Sequence, residues 1–577
     1  MNFTFQIQHH SFDSILQERI RQNSYISDLW PLVYIISDEH HMEAYVGETT
    51  DAVSRMFTHL KHDEKKRLST VHLITSEVFN KSATLDIESN LIRYFSGDGK
   101  YNLLNGNVGI ANHTYYQKNE VYWEIFKNIW QRLRKEGLAR NTIESIDNSD
   151  LFKYSPYKAL TPEQTDGIIM IMKALIDKKA RNVIVEGGAG TGKTIMAVYL
   201  FKLLHTDLEN LDFRDFGEKS NEILQLAGQL KDAYPDPRVA LVVPMASFRQ
   251  TLGKVFKHIK GLNAKMVIGP AELAENKYDI LFVDESHRLR KRLNLGAYYG
   301  NFDKVNAKIG LGKDKGNELD WVVKRSDKRI LFYDKAQSIK PSDVDQSDFD
   351  RMKAMAQTVT IPIRSQFRVR GGTDYVDYID RLLHGRMKPT AKMPFMRGYE
   401  FVIFDSLADM IALLDEREKE YGLCRIVAGY AWKWVSKGGA PHDIEIGQVK
   451  LKWNSVDKDW VNSPNAPKEV GCIHTTQGYD LNYTGVIFGH EVSYDPATRQ
   501  IVVREEHYHD RNGKQSISDP EALRSYIINI YKTLMLRGIR GTYVHVCDPH
   551  LRDYLAKHIP TASNYSDNDL LSMAAEN

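Results

Sequence analysis

The first hundred residues alternate between strand-like apolar runs and helical spacings. Apolar runs at 32–37 and 43–47 flank the polar sequence DEHH, a pattern that predicts a β-hairpin. A helix is expected to start near Thr50 or Asp51, because both side chains can cap a helix N-terminus. A second helix is predicted over 83–95. These elements predict a compact α/β unit.

From about residue 156 onward, β-branched and apolar strands alternate with helical segments. This order is typical of parallel sheets covered by helices on both faces. Two such series are present, so the fold class is α/β with two parallel-sheet lobes. The predicted strands lie at 182–187, 239–244, 279–285 and 329–334 in the first series, and at 399–404, 424–430, 470–475, 484–489 and 542–547 in the second.

The chain has 577 residues, which is too long for a single hydrophobic core. Residues 121, 125, 129 and 133 are apolar at helical spacing, and the polar stretch 139–150 marks a boundary. We therefore predict an N-terminal extension (1–28), a small α/β domain (29–110), a helical connector (111–155), a first lobe (156–355), a second lobe (356–560) and a C-terminal tail (561–577).

Composition narrows the class of protein. Hydrophobic residues make up 42% and charged residues 26%, as in folded globular proteins. The formal net charge is only +2, so any contact with nucleic acid must come from local basic grooves. Cys424, Cys472 and Cys547 are far apart and form no CxxC pair, which argues against disulfides and zinc. No secretion signal or membrane-length apolar run is present, so we expect a cytoplasmic protein with no membrane partner.

A glycine-rich stretch between a strand and an apolar helix is the strongest chemical signal. Glycines let backbone N–H groups curl around phosphates, the lysine neutralises phosphate oxygens, and the threonine hydroxyl can hold Mg²⁺. This pattern predicts a P-loop for ATP and Mg²⁺. Its residues are Gly187, Gly188, Ala189, Gly190, Thr191, Gly192, Lys193 and Thr194.

Two acidic residues follow the predicted strand at 279–283. Asp284 is expected to coordinate Mg²⁺ through water, and Glu285 to orient and polarise the attacking water. An acidic pair at the end of a strand can also be a simple helix cap. The P-loop upstream favours the catalytic interpretation.

The order of these motifs resembles superfamily 1 helicases over about 400 residues. Gln164, in Thr-Pro-Glu-Gln, is similar to the adenine-reading Q motif. Tyr-Asp-Lys-Ala-Gln ending at Gln337 resembles motif III, which implies a γ-phosphate sensor. Arg368, in Ser-Gln-Phe-Arg, and Arg537, in Leu-Arg-Gly-Ile-Arg-Gly, resemble motifs IV and VI, which implies two arginine fingers, with Arg540 also at the nucleotide.

Two further segments strengthen this resemblance. His-Thr-Thr-Gln-Gly-Tyr-Asp at 474–480 is similar to motif V, which in the family couples the nucleotide state to the bound strand. The stretch 537–555 resembles the end of the second lobe in a bacterial family of Schlafen-related helicase-like proteins. The implied fold is two RecA-like motor lobes.

Residues 288–329 combine many basic side chains with Tyr298, Tyr299, Phe302 and Trp321. Cations and aromatic rings suit single-stranded nucleic acid, through phosphate neutralisation and base stacking. The same pattern suits a solvated insertion with its own small core. The sequence does not separate these two interpretations.

In the N-terminal domain, Tyr34 and Tyr45 lie on the two hairpin strands, and Arg55 and His59 lie one helical turn apart on the next helix. On a helical wheel Glu88 falls inside an apolar arc, opposite Asp86 and Asn90, so its carboxylate needs a partner. Metal coordination would make a phosphodiesterase, with Glu88 holding Mg²⁺. A structural Glu–Arg pair explains the same spacing equally well.

This stretch resembles a GIY-YIG nuclease over about 80 residues. Leu-Val-Tyr ending at Tyr34 stands for the first element and Tyr-Val-Gly starting at Tyr45 for the second. Arg55, Glu88 and Asn102 occupy the positions of the family's arginine, metal-binding glutamate and terminal asparagine. The resemblance implies a small α/β GIY-YIG domain with a Mg²⁺-dependent endonuclease centre.

Together these features predict an ATP-dependent DNA helicase or translocase joined to an endonuclease, with a single-stranded DNA track. By family analogy alone, such a fusion suits bacterial defence against foreign DNA. The alternatives are a remodeller of DNA or RNA whose N-terminal domain does not cut, and a nucleotide switch that does not translocate.

Overall fold

The computed structural model of the protein describes residues 4–105, 115–154, 160–206, 219–259, 261–312, 314–338, 340–364, 366, 369–388, 390–391, 393–394, 396, 398–515 and 517–564. The chain divides into two compact units. The first comprises Met1–Ile176, Thr194–Asp236 and Leu252–Val267, and the second Asp177–Lys193, Pro237–Thr251 and Ile268–Asn577.

The first unit opens with a five-stranded sheet of order β1-β4-β2-β3-β5, in which β2 and β3 form the predicted antiparallel hairpin. Strand β2 is buried along its whole length because its side chains point alternately into two cores. The elements are β1 (Gln6–Ser11), α1 (Leu16–Ile20), α2 (Ser24–Ser27), β2 (Leu32–Asp38), β3 (Glu43–Thr49), α3 (Ala52–Lys61), β4 (Thr70–Thr75), α4 (Lys81–Asp98) and β5 (Asn102–Leu103).

A series of helices follows. The predicted connector packs on α4, where Ile125 and Ile129 share a core with Leu91. The polar face of α4, which carries Asp86, is also buried, because Tyr115 and Lys118 contact the carboxylate of Asp86. These helices are α5 (Trp123–Lys135), preceded by a π-helical turn (Lys118–Tyr122), then α6 (Ile143–Asn148), α7 (Asp150–Lys153), α8 (Pro162–Ile176), α9 (Lys193–His205) and α10 (Ser220–Ala233).

The second unit contains two large sheets. The six strands of the first have the order β11-β6-β10-β9-β7-β8, and β6, β9 and β10 are mutually parallel neighbours. Their carboxyl ends therefore lie at one edge. The elements are β6 (Asn182–Gly187), β7 (Val239–Val242), α11 (Ala246–Lys257), β8 (Val267–Ile268), β9 (Tyr278–Val283), α12 (Tyr299–Lys308), α13 (Glu318–Arg325), β10 (Ser326–Tyr333), α14 (Gln346–Lys353) and β11 (Thr358–Ile363).

The second sheet has seven strands in the order β12-β20-β17-β13-β16-β15-β14, parallel except for the β14–β15 hairpin, with a separate β18–β19 hairpin. The elements are α15 (Gly372–Leu383), β12 (Glu400–Phe404), α16 (Leu407–Tyr421), β13 (Cys424–Ala428), β14 (Ile444–Ile446), β15 (Val449–Trp453), β16 (Glu469–Gly471), α17 (Ile473–Thr476), β17 (Leu481–Phe488), β18 (Val492–Asp495), β19 (Gln500–Val503), α18 (Arg511–Lys514), α19 (Pro520–Met535), β20 (Gly538–Val546) and α20 (Pro549–Ala556).

This architecture confirms the predicted fold class, an α/β chain with two parallel-sheet lobes after a small N-terminal α/β domain. Across the residues described above, no helix has the length and apolarity needed to cross a membrane.

Candidate active sites

The glycine-rich loop leaves the carboxyl end of β6 and leads into α9. Gly190 and Gly192 have φ angles of 80° and 81°, a region that strongly favours glycine. The buried ammonium of Lys193 donates to the carbonyl oxygens of Gly187 and Gly188, each at 2.7 Å. The lysine is therefore folded into its own loop, with its charge satisfied by carbonyl dipoles.

The acidic pair lies at the end of β9, on the same edge as the loop. Asp284 is buried, and its Oδ1 accepts from the N–H of Glu285 at 3.0 Å. An Oε2 to Nε2 distance of 2.9 Å separates Glu285 from the buried His287. Burial opposes ionisation of Glu285, but His287, with the nearby charges of Lys193 and Arg537, holds the pKa of Glu285 below its usual range. Glu285 is therefore ionised at neutral pH.

A glutamine and an arginine connect this edge to the second sheet. Gln337 follows β10, and its Nε2 donates to Asp334 at 2.6 Å. Its Oε1 accepts from Nη2 of Arg537 at 3.1 Å. Arg537 is 1% exposed and also donates to the carbonyl of Tyr479 at 3.3 Å. The structure thus brings Lys193, Glu285, Gln337 and Arg537 together.

Three polar side chains of the N-terminal domain form a hydrogen-bonded chain. The Tyr34 hydroxyl lies 2.8 Å from Nε2 of His59, and Nε of Arg55 donates to the same hydroxyl at 3.1 Å. Arg55 is the donor in its bond to the Tyr34 oxygen, whereas the donor in the Tyr34–His59 bond depends on which imidazole nitrogen carries the hydrogen. Burial, with Lys65 and Arg55 nearby, lowers the pKa of His59 to about 3. The imidazole is neutral at pH 7.

The second tyrosine belongs to the same cluster. The Tyr45 ring centroid lies 5.0 Å from that of His59 and 6.3 Å from that of Tyr34, and the Lys65 ammonium lies 3.6 Å from the Tyr45 ring centroid. Gly47 pairs with Tyr34 across the hairpin. A Cβ at Gly47 would lie 2.2 Å from the Tyr34 oxygen, so only glycine leaves room for the phenol.

Glu88 projects from α4 and is 8% exposed. Its charge is among those that act on the Tyr34 phenol, whose pKa burial raises well above the usual value. A buried carboxylate beside this cluster fits Mg²⁺, which is commonly held by one or two carboxylates while it keeps several waters. The residues present can therefore hold the ion that the sequence predicts.

Two asparagines near β5 differ sharply in position. Asn102, the residue predicted for the site, has an exposed side chain on a strand that pairs at Glu43. Asn105 is 1% exposed, and its amide exchanges two hydrogen bonds with the backbone of Val46, at 3.0 and 2.8 Å. Asn105, which the sequence reasoning missed, is the asparagine that braces the Tyr45 strand.

Residues 180–548 match the family described as Schlafen group 3, DNA/RNA helicase domain. The chain belongs to this family. Its residues 31–102 match the GIY-YIG catalytic domain, so this Schlafen group 3 chain also carries an N-terminal GIY-YIG domain. Both family resemblances predicted from the sequence are confirmed.

Known proteins similar to this Schlafen group 3 chain include the uncharacterized protein YPL245W of Saccharomyces cerevisiae, 25% identical over 410 residues, 65% of this chain and 83% of that protein. The fold is also similar to a Pif1 helicase from Bacteroides in complex with ADP-AlF3 and ssDNA, at 12% identity, 67% and 92% coverage and a TM-score of 0.25. Mss116p bound to ssRNA and AMP-PNP gives 14% identity, 78% and 82% coverage and a TM-score of 0.34.

Other predicted nucleotide residues of this Schlafen group 3 chain lie apart from the cluster or outside the described residues. Arg540 lies over the Tyr421 ring, 4.2 Å from its centroid, and no contact joins it to Lys193 or Glu285 in the described part of the chain. Arg368 lies outside the described residues. Gln366, a neighbour in the same motif, donates to the carbonyl of Ala189 in the phosphate loop and was not singled out from the sequence.

Gln164 and Thr194 belong to the first unit. Gln164 is buried at the start of α8, where its Oε1 accepts from the N–H of Thr161 at 3.0 Å and the Thr161 hydroxyl accepts from the Gln164 N–H at 3.2 Å. Thr194 is half-buried in the first turn of α9, directly after Lys193. Their roles toward a nucleotide remain predictions.

The basic and aromatic insertion at 288–329 packs on the first sheet, because Phe302 and Trp321 belong to the same buried core as Leu281 and Leu331. Phe302 and Trp321 are fully buried with ring centroids 4.6 Å apart, and Trp321 donates to Asn306 at 2.6 Å. The guanidinium of Arg292 covers Tyr299 and is paired with Asp303 at 2.7 Å. Rings buried in this way cannot stack on bases, so the base-stacking interpretation is wrong for Phe302 and Trp321, which contribute to the core of the first sheet and not to a separate small core.

Proposed function

We propose that this chain is an ATP-hydrolysing motor that moves along or opens nucleic acid, with single-stranded DNA as its track, and that its N-terminal domain is a Mg²⁺-dependent endonuclease. The main support for the motor proposal is one cluster of four side chains, which are Lys193, Glu285, Gln337 and Arg537. These groups come from both parallel sheets, as a nucleotide-driven change between the sheets requires.

In the motor, Lys193 would exchange its two carbonyl partners for the β/γ-phosphate oxygens of ATP. Asp284 would hold Mg²⁺, which neutralises charge on the phosphates. Glu285, kept ionised, would orient the attacking water. Gln337 would sense the γ-phosphate, and Arg537, bonded to it, would carry that state to the second sheet.

In the nuclease, with His59 in the tautomer whose Nε2 is unprotonated, the phenol of Tyr34 would pass its proton to that nitrogen while it accepts one from the attacking water. The Arg55 guanidinium, which already bonds the Tyr34 oxygen, would stabilise charge on the phosphate. Glu88 would hold Mg²⁺, which supplies Lewis-acid polarisation of the phosphodiester when bound. Tyr45 contributes a second phenol to this cluster.

One experiment separates the two sites. Purified wild-type, Lys193→Ala and Glu88→Ala proteins are incubated with labelled linear DNA, Mg²⁺ and ATP, and ATP turnover is measured with and without single strands. We expect Lys193→Ala to lose ATP turnover, and Glu88→Ala to lose cleavage while turnover is kept. Lys277→Ala is a matched lysine control, because its exposed ammonium pairs with Asp327 where β9 and β10 begin, at the opposite end of these strands from the phosphate loop.

The same assay discriminates the alternatives. Equal cleavage by wild type and Glu88→Ala would favour a non-cleaving N-terminal domain. ATP turnover that does not respond to single strands would favour a nucleotide switch. Competition between DNA and RNA strands of the same sequence identifies the preferred track.

The proposed setting is the cytoplasm, where ATP and target strands are both available, and the proposed biological role is defence against foreign DNA. Phage plating on bacteria that express wild type, Lys193→Ala or Glu88→Ala tests this role. We expect protection to require both residues. Equal plating in all three strains would contradict a defence role without affecting the biochemical proposal.

A further inference from the structure

A concave surface of about 580 Å³ lies beside the second parallel sheet, among the end of α15, the tip of the β18–β19 hairpin and the first turns of α19. Arg386, Arg499 and Arg524 line it. We propose that this surface binds the phosphate backbone of nucleic acid. The inference rests on the proposed function, because it assigns the motor a contact for its track outside the nucleotide site.

The three elements are held closely enough to form one site. Gly385 lies two residues beyond the end of α15 with a φ of 68°, and a Cβ there would lie 3.0 Å from the carbonyl oxygen of Arg499. Arg524, from α19, donates to the carbonyl of Ile501 on β19 at 2.6 Å. These contacts fix the hairpin tip against both helices.

The charges around the surface do not cancel. Among the described residues, Glu521 is the one carboxylate that lines it, and its Oε2 lies 3.2 Å from Nη1 of Arg524. Arg386 has a 66% exposed side chain and a loose 3.8 Å approach to Asp380, which also pairs with Lys532. An excess of guanidinium groups in a concave site attracts phosphates, which they can bind with paired hydrogen bonds.

Arg499 is the most informative residue of the site. Its φ of 57° lies in the left-handed region, where glycine would be less strained. Asp495 holds the turn, accepting from the N–H of Ala497 at 2.9 Å and the hydroxyl of Thr498 at 2.7 Å. Within the described part of the chain, the exposed Arg499 guanidinium has no hydrogen bond or ion pair. An arginine at this position therefore strains the backbone, and its side chain makes no hydrogen bond or ion pair within the described residues that would offset the strain.

The site also lies where a ligand is expected. The hairpin follows the carboxyl end of β17, an interior strand of the second sheet. Ligands of open parallel α/β sheets bind outside the carboxyl ends of the strands. The location therefore agrees with the charge and with the strained backbone.

The test compares stability with binding in the full-length protein. Arg499→Gly removes the cation and relieves the strained backbone, so we expect its Tm to equal or exceed that of wild type while its affinity for single-stranded DNA falls. Arg386→Ala should weaken the same binding, and Arg499→Lys should keep part of it. The control Arg351→Ala removes an arginine that is 70% exposed and paired with Asp348 on α14.

Binding is measured with a fluorescent single strand over a series of salt concentrations. For single strands, each lost phosphate contact should reduce the slope of log affinity against log salt by about 0.7. Affinity and slope in Arg499→Gly and Arg386→Ala equal to those of Arg351→Ala would overturn this inference and leave the motor proposal intact. Absence of binding by wild type at low salt would overturn both.

Discussion

Arg537, which directly precedes β20 of the second sheet, donates to the side-chain oxygen of Gln337, which follows β10 of the first sheet. The bond has a length of 3.1 Å and is buried. It is a direct polar connection between the two sheets at the edge that carries the phosphate loop. A change at the nucleotide that moves Gln337 must therefore move or break the contact with Arg537.

We predict that Arg537→Ala lowers the kcat for ATP hydrolysis by about 10³-fold, as expected for an arginine finger. Arg540→Ala is the matched comparison, because that guanidinium stacks on Tyr421. We expect Arg540→Ala to change kcat less than about tenfold, an effect within ~1.4 kcal/mol of the barrier. Steady-state turnover with single-stranded DNA measures both, and similar losses in the two variants would contradict the assignment.

We predict that Gly47→Ala abolishes cleavage and leaves ATP turnover unchanged. The new methyl group would lie 2.2 Å from the Tyr34 oxygen, so the phenol must leave its place between Arg55 and His59. A loss of about 10²-fold or more is expected for a displaced proton-transfer group. Gly228→Ala, with nothing within 4 Å of its new methyl, is the control for a glycine substitution in the same unit. Cleavage by Gly47→Ala at the control rate would argue against a role for Tyr34.

We predict that Asn105→Ala destabilises the N-terminal domain and reduces cleavage. The variant leaves both the N–H and the carbonyl of Val46 without their partner, which costs about 1–3 kcal/mol for a buried group. Asn102→Ala removes an exposed amide and should cost under about 0.5 kcal/mol. Hydrogen exchange of β3 peptides and cleavage rates compare the two, and the reverse order of effects would refute this prediction.

The depressed pKa of His59 predicts a pH-dependent stability of the N-terminal domain. His59 stays neutral in the folded state down to about pH 3, whereas in the unfolded state it takes up a proton near the ordinary histidine pKa of 6.5. Stability is therefore present above pH 6.5 and is lost as pH falls from 6.5 toward 3, by at most about 1.4 kcal/mol per pH unit.

Hydrogen exchange of β2 and α3 peptides between pH 7 and 5, corrected for intrinsic exchange rates, measures this loss. His59→Gln should show a shallower pH dependence than wild type. His40→Gln is the control, because it removes an exposed imidazole in the turn between β2 and β3. The same slope in wild type and His59→Gln would show that another group is responsible.

The strands and the phosphate loop could be predicted from sequence because their signals are local. The apolar run before Gly187 indicates a buried strand that leads into the phosphate loop. The apolar run before the acidic pair that follows Val283 indicates a second buried strand, which ends at Asp284 and Glu285. Parallel pairing of β6, β9 and β10 then brings these groups to one edge without further information. The same logic placed Tyr34 and Tyr45 on adjacent strands.

The remaining differences come from contacts that composition and spacing do not record. Trp321 resembles a base-stacking residue in sequence, but α12 and α13 fold together and bury it. Asn102 matches a motif by spacing. The chain after β5, however, places Asn105 against the hairpin, where its side chain bonds the backbone of Val46. Arg540 shares a motif with Arg537, yet its place on β20 gives it Tyr421 as a neighbour. Each outcome depends on tertiary packing around one side chain.

The self-bonded Lys193 has a consequence for how the motor would cycle. Its ammonium already holds two carbonyl oxygens, so arrival of a triphosphate would replace one set of oxygen partners by another and leave no bare charge at any stage. Release of product would be the reverse exchange. The same two bonds tie the start of the phosphate loop to its end, so Lys193 also holds in shape the loop that carries it.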